Sequence, residues 1–154
     1  QKILFKFIEM HTNVNWTYIS ANQKLSENFI REFQNKVNWR NISIYQILSE
    51  NFIEEYHNNV CWYNISKNQI LSEYFIEKYH DKIYWAPIFF RRDLNLSIEF
   101  VVKYQNKVNW EYITPNSALV EFMKNHSDKI SLENRLAYRK NLVRINENSA
   151  EYKE

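Results

Sequence analysis

The sequence predicts an all-α solenoid of short two-helix repeats, closed at its C-terminal end by a longer capping helix. Two observations support this fold class. One motif recurs at a nearly constant interval along the 154 residues, and each copy contains two helix-start signals. A repeat this short cannot bury its apolar face alone, so neighbouring copies must stack on one another.

Tryptophan marks the repeat. It occurs at positions 16, 39, 62, 85 and 110, with intervals of 23, 23, 23 and 25 residues, and isoleucine follows each one three positions later. Leu-Ser-Glu recurs at 25–27, 48–50 and 71–73, and a Phe-Ile pair follows at 29–30, 52–53 and 75–76. Because residues 1–8 align with residues 23–30, the chain opens in the middle of a repeat. We therefore expect five to six repeats over residues 1–131, of which the first is incomplete.

Each repeat contains two helix starts. Asn38 is a natural N-cap, and Val37 and Ile42 have the spacing of a hydrophobic staple around it. Ser49 caps the second helix of the same repeat. Helices of about eight residues are not stable alone, so they must pack on neighbouring repeats. The second helices are expected to end in a left-handed residue, with Asn or Asp in place of glycine, at Asn35, Asn58, Asp81 and Asn106.

The five tryptophans are expected to form a buried ladder in the core, because isoleucine accompanies each at helical spacing. After the array, Ser131 caps a longer helix in which Leu132, Leu136 and Val143 form an apolar stripe. Residues 132–154 are predicted to be a basic helix that caps the array, followed by a polar tail. The alternative is that this basic helix reaches for a partner.

The pattern Trp-x-x-Ile-Ser-x-x-Gln-x-Leu-Ser-Glu-x-Phe-Ile runs from residue 1 to about residue 131. It resembles the short tryptophan-bearing repeats of uncharacterised proteins from large DNA viruses and some phages. The resemblance implies a viral origin and a location in the host cytoplasm or the virion. It implies no activity, cofactor or catalytic residue.

Composition excludes several kinds of functional site. Without glycine the chain cannot form a P-loop, a dinucleotide-binding fingerprint, a nucleophile elbow or an EF-hand loop. The single cysteine, Cys61, cannot form an intramolecular disulfide, and no apolar run approaches the roughly 20 residues that span a bilayer. His57 and His80 are interpreted as surface residues, and Cys61 as a substituted N-cap. The sequence thus predicts a protein that is not an enzyme, requires no cofactor and has no membrane partner.

Function is expected in protein–protein interaction. Repeat arrays offer extended surfaces, and the variable positions that follow each tryptophan include Tyr and Arg, which dominate interface energetics. Further arginines occur where the repeat is interrupted near residue 90, where they are expected to reach solvent, and in the C-terminal helix. The predicted partner-binding residues are Tyr18, Arg40, Tyr63, Arg91, Arg92, Tyr112, Arg135, Arg139 and Arg144.

The expected role is a non-enzymatic scaffold that binds or cements other proteins, among them capsid components or further copies of itself. The alternative is a nucleic-acid-binding repeat protein that uses the basic C-terminal half. Counting Lys, Arg, Asp and Glu, residues 82–154 sum to +3 and residues 1–81 to −1. A salt titration separates the two roles, because phosphate contacts make affinity fall steeply with salt.

Overall fold

The regular structure is helical. The computed structural model describes residues 6, 8, 10, 11, 13–91, 93–113 and 118–151, so most of the incomplete first repeat lies outside the described residues. Within the described part, ten α-helices span Trp16–Asn22 (α1), Glu27–Glu32 (α2), Trp39–Tyr45 (α3), Glu50–Glu55 (α4), Trp62–Asn68 (α5), Glu73–Lys78 (α6), Trp85–Phe90 (α7), Ile98–Lys103 (α8), Ala118–His126 (α9) and Leu132–Glu151 (α10). Short 3₁₀ helices span Gln105–Lys107, Trp110–Tyr112 and Ser127–Lys129. The all-α class is confirmed, and the solenoid arrangement stays a prediction.

The chain divides into two compact units, Gln1–Gln69 and Ile70–Glu154. In the first unit α1 packs on α3, and α3 packs on α5, so the first helices of successive repeats form one row. In the second unit α9 packs on α7, and α10 packs on the 3₁₀ helix Trp110–Tyr112. The domain boundary predicted at residue 131 stays a prediction.

The predicted helix starts are confirmed by side-chain hydrogen bonds. Asn41 N donates to Asn38 Oδ1 at 3.0 Å, and Phe52 N donates to Ser49 Oγ at 3.2 Å. These bonds satisfy N–H groups that have no partner inside a helix, and so they fix where each short helix begins. Cys61 occupies the N-cap of α5, and its side chain makes no capping hydrogen bond.

The second helices do not end as predicted. α4 ends at Glu55, and its C-cap Tyr56 has a φ of −110° and a ψ of 30°, which are right-handed. Asn59 N and Val60 N both donate to Tyr56 O, at 2.8 and 3.1 Å. This right-handed turn accepts the last backbone donors without a left-handed residue. Among the described non-glycine residues, Asn95 alone has a positive φ, of 51°. The left-handed prediction is therefore wrong at Asn35, Asn58, Asp81 and Asn106.

The core consists of the isoleucines and the Phe-Ile pairs. Ile42, Phe52 and Ile53 are 0% exposed. Of the five tryptophans only Trp110 is buried, and the other four are half-buried. The predicted buried ladder is therefore wrong for Trp16, Trp39, Trp62 and Trp85.

The half-buried Trp39 combines ring contacts with the aromatic core and a hydrogen bond to the chain. Trp39 Nε1 donates to Gln34 O at 3.0 Å, while its ring contacts those of Phe52 and Tyr56 with centroids 6.3 and 4.8 Å apart. The same Nε1 bond to the carbonyl five residues earlier recurs at Trp110. The bond gives the polar end of the indole a partner at a half-buried and at a buried tryptophan alike, so it does not by itself set the depth of the ring.

The capping helix is longer and differently rotated than predicted. It continues to Glu151, into the segment predicted to be a polar tail. The predicted stripe faces outward, with Leu132, Leu136 and Val143 64%, 47% and 56% exposed. Tyr138 and Asn141 face inward instead, at 8% and 2% exposure. Asn141 Nδ2 donates to Ile113 O at 2.6 Å, which satisfies a buried carbonyl that leucine could not satisfy.

Candidate interaction surface

Buried glutamines of the repeat motif join neighbouring repeats. Gln46 is 4% exposed. Its Nε2 donates to Ser20 O and to Gln23 O at 2.9 Å each, and its Oε1 accepts from Leu25 N at 2.9 Å. Gln69 forms the same three bonds to its own preceding repeat, with Ser43 O, Gln46 O and Leu48 N at 3.2, 2.8 and 3.0 Å. One amide thus satisfies three main-chain groups of the repeat before it.

The serine that follows isoleucine makes a second bond between repeats. Ser43 is 0% exposed, donates to Trp39 O at 2.7 Å and accepts from Cys61 N at 2.9 Å. The hydroxyl therefore closes its own helix and holds the start of the helix one repeat later. Ser20 makes the equivalent pair of bonds, to Trp16 O and from Asn38 N.

The glutamate of Leu-Ser-Glu makes a third such bond. Glu27 Oε1 accepts from Ser49 N at 2.7 Å in the first unit. Glu73 accepts from both Ser97 N and Ser97 Oγ in the second unit. These recurring polar positions thus join neighbouring repeats, a role that the sequence reasoning missed although their 23-residue period signalled it.

One exposed surface of the first unit gathers the predicted residues Tyr18, Arg40 and Tyr63, which lie on α1, α3 and α5. Tyr18 is 58% and Tyr63 45% exposed, and Arg40 is exposed as well. Residues 16–25, 39–48 and 62–69, which form these helices and the loops after them, contain three cations and no Asp or Glu. We call this surface the α1–α3–α5 face, defined by its exposed residues Tyr18, Lys24, Arg40, Tyr45, Tyr63 and Lys67.

A groove of about 400 Å³ lies at the edge of this face, between the loops that follow α1 and α3. It is lined by residues 21–25 and 45–47. Tyr45 and Ile47 on its wall are 59% and 90% exposed, and Lys24 supplies its cation. Lys24 and Ile47 occupy one repeat position and Tyr45 another. Neither position holds the same residue in all three repeats, so periodicity did not single them out.

The second helices of the same unit carry the opposite charge. Residues 26–38 and 49–61 contain five glutamates, one arginine and one lysine. Arg31 lies between two of these carboxylates, with Nη2 2.9 Å from Glu55 Oε2 and 3.7 Å from Glu27 Oε2. We call this the α2–α4 face, defined by Glu27, Arg31, Glu32, Lys36, Glu50, Glu54 and Glu55.

The predicted residues of the C-terminal third have mixed surroundings. Arg144 lies 4.8 Å above the ring of Tyr112 and donates to Glu111 O and Asn141 Oδ1 at 3.0 and 3.1 Å, so it holds α10 to its neighbour. Arg139 is exposed. Arg135 is half-buried, and its Nε is a buried donor without a partner.

Arg91 is not the solvent-directed cation that was predicted. Its side chain is 12% exposed and pairs with Asp93, with Nη2 2.5 Å from Oδ2 and Nε 3.0 Å from Oδ1. This hydrogen-bonded guanidinium lowers the pKa of Asp93. Arg92 lies outside the described residues.

The residues weighed for catalysis or metal binding are separate. Nδ1 of His57 lies 2.9 Å from Glu54 O, and Nδ1 of His80 lies 3.1 Å from Glu77 O. No group of three or more His, Cys, Asp or Glu that could hold a metal ion occurs in the part of the chain that the structure describes. No helix among those same residues is long and apolar enough to cross a membrane.

Comparisons of the chain with protein-family models, curated proteins and solved structures give no match. The resemblance to viral and phage repeats therefore stays a prediction. The function of this protein is inferred from the contacts, burial and charge of its own residues.

Proposed function

We propose that this protein is a non-enzymatic scaffold that binds other proteins through the α1–α3–α5 face. The observation behind the proposal is the composition of that face, which exposes three tyrosines and three cations and contains no carboxylate. Tyrosine offers a large, rigid contact area with a polar end, and arginine adds a planar hydrogen-bonding group. Both residue types are common where protein interfaces concentrate their binding energy.

The contacts between repeats support this assignment. Ser43 and Gln46 are occupied inside the fold by main-chain groups, as is Glu27 by Ser49 N. A reaction needs polar groups that can meet a substrate, whereas these groups are committed to structure. The exposed positions that vary between repeats remain as recognition elements.

The density of charge favours a protein partner over a nucleic acid. The three cations of the face lie on three successive repeats, one to each. A protein surface that binds nucleic acid needs a continuous basic stripe, because each phosphate contact adds a separate increment of affinity. A cementing role in a virus particle is a further prediction that rests on the resemblance alone.

Affinity capture tests this proposal. The tagged protein is immobilised on a resin and incubated with an extract of the cells that produce it. Bound proteins are then identified by mass spectrometry. The face variant carries Tyr18→Ala, Arg40→Glu and Tyr63→Ala. Lys107→Glu, an exposed cation on a 3₁₀ helix of the second unit, is the control for one charge reversal. Circular dichroism verifies that both variants are folded.

We expect the wild type and the Lys107 variant to capture the same proteins, and the face variant to lose them. Nuclease treatment should leave the captured set unchanged. Capture that is equal for a folded face variant would refute the choice of surface. Loss of all binding after nuclease treatment would support the nucleic-acid alternative.

A further inference from the structure

We infer that the α1–α3–α5 face docks on the α2–α4 face of a second copy of this chain. The inference rests on the proposed function, since it names the partner of the same face. It follows from charge and from repeat spacing, both of which are visible in the first unit, and contact area then sets the strength of the association.

Charge is the first argument. Lys24, Arg40 and Lys67 give the α1–α3–α5 face +3, and no acidic residue lies in its segments. The five glutamates of the α2–α4 face exceed its two cations by three, which gives −3. Faces of like charge repel and faces of opposite charge attract. The α1–α3–α5 face of one copy is therefore attracted to the α2–α4 face of another. A second copy brought face to face in this way supplies the missing carboxylates.

Spacing is the second argument, and it favours a second copy over another acidic protein. The helices of both faces recur once per 23-residue repeat, as Glu32 and Glu55 do on α2 and α4. α1, α3 and α5 form a row in which each helix contacts the next. Helix rows pack by placing the ridges of one into the grooves of the other, at about 8–10 Å between axes. Two rows built from one repeat share that spacing over successive helices, whereas an unrelated surface does not.

Contact area sets the strength of the association. The smaller α2–α4 face limits the contact. A six-residue helix is about 9 Å long, and two helices at this spacing span roughly 20 Å. The docked area is then on the order of 200 Å² per copy, well below the ~800 Å² of a standard interface. A single contact is therefore weak and dominated by charge. Because the two faces differ, one copy of a docked pair keeps an unused α1–α3–α5 face and the other keeps an unused α2–α4 face. The contact therefore propagates into an open assembly.

Sedimentation analysis of the purified protein tests the inference, using two charge-reversed variants. The first carries Arg40→Glu and Lys67→Glu, which makes both faces acidic. The second carries Glu32→Lys and Glu54→Lys, which makes both faces basic. Association is measured from micromolar to millimolar concentration at low salt, alone and in equimolar mixture, after thermal melts verify that each variant is folded.

We expect the wild type to associate at high concentration, and salt to dissociate it as the Debye length falls below about 10 Å. Each variant alone should associate at least about tenfold more weakly. The mixture should regain association, because each variant then meets an opposite face.

Three results would overturn the inference: a wild type that is monomeric at millimolar concentration, a folded variant that self-associates as the wild type does, or a mixture that shows no recovery. The proposed function is judged separately by affinity capture. A monomeric wild type whose face still captures another protein would leave the scaffold proposal standing and exclude the second copy as the partner.

Discussion

Replacement of Gln46 by alanine should destabilise the protein more than the loss of one polar side chain usually does. Gln46→Ala removes three hydrogen bonds and leaves Leu25 N, Ser20 O and Gln23 O without their partner. The first two bonds are buried and the third is partly buried. An orphaned buried group costs about 1–3 kcal/mol, and water that enters the vacated space recovers part of this. We therefore expect the free energy of unfolding to fall by about 3–5 kcal/mol.

A nearly isosteric change at the same position makes the effect depend on pH. Gln46→Glu keeps an acceptor for Leu25 N but directs a carboxyl oxygen at the carbonyls of Ser20 and Gln23. The protonated acid can donate to one of them and the carboxylate to neither, so the folded state should raise the pKa of the introduced carboxyl above its usual ~4.3. The folded state then binds the proton more tightly than the unfolded state. Stability of the variant should fall as pH rises from ~4.3 through this raised pKa.

Urea unfolding followed by far-UV circular dichroism measures both effects. Ile47→Ala is the matched control, because the neighbouring residue is 90% exposed. It should change the free energy of unfolding by less than ~0.5 kcal/mol. If Gln46→Ala lowers the free energy of unfolding no more than the control does, the amide does not hold the repeats together as described. The same conclusion follows if the stability lost in Gln46→Glu does not change with pH.

Three further outcomes follow from other residues. Trp39→Ala should cost about 2–3 kcal/mol, less than the ~3–5 kcal/mol for the fully buried Phe52→Ala, and the reverse order in thermal melts would contradict the rim position of the indole. Cys61→Asn should stabilise the protein by about 1 kcal/mol, since it supplies the cap that the thiol does not make, and an unchanged or lower Tm would argue against that cap. The Arg91 guanidinium lowers the pKa of Asp93, so the pair stabilises the fold above about pH 4 and is lost as pH falls through the folded pKa. Asp93→Asn should remove that acid-dependent component, and an identical loss of Tm on acidification in variant and wild type would refute it.

Local signals predicted the helices well because their causes are local. Asn38 and Ser49 cap helices through atoms three residues away, and that spacing is written in the sequence. The ends of the second helices were not predicted correctly. The carbonyl of Tyr56 accepts the final backbone N–H groups in a turn that needs no left-handed residue. Asn58 is compatible with a left-handed helix end and with a right-handed turn, so the residue type alone could not distinguish the two geometries.

Burial was harder to predict, because the period gives the face of a helix but not the depth of each residue. Trp39 and Ile42 share the apolar side of α3, yet only the isoleucine is fully buried, and the indole lies at the rim, where its N–H donates to Gln34 O. Gln46 is the opposite case, a polar residue buried because three main-chain groups surround it. Both outcomes depend on partners that come from tertiary packing and that no hydropathy pattern contains.

In the C-terminal helix, an exposed arginine can already be engaged in contacts within the fold. Arg144 was predicted to meet a partner, but its guanidinium already bonds to Glu111 O and covers Tyr112. Its replacement by glutamate would loosen α10 and would mix a packing defect with any loss of binding. Arg139 is exposed on the same outward side as Leu136 and Val143. Reversal of that one charge therefore probes the outer surface of α10 without breaking a contact that the structure shows.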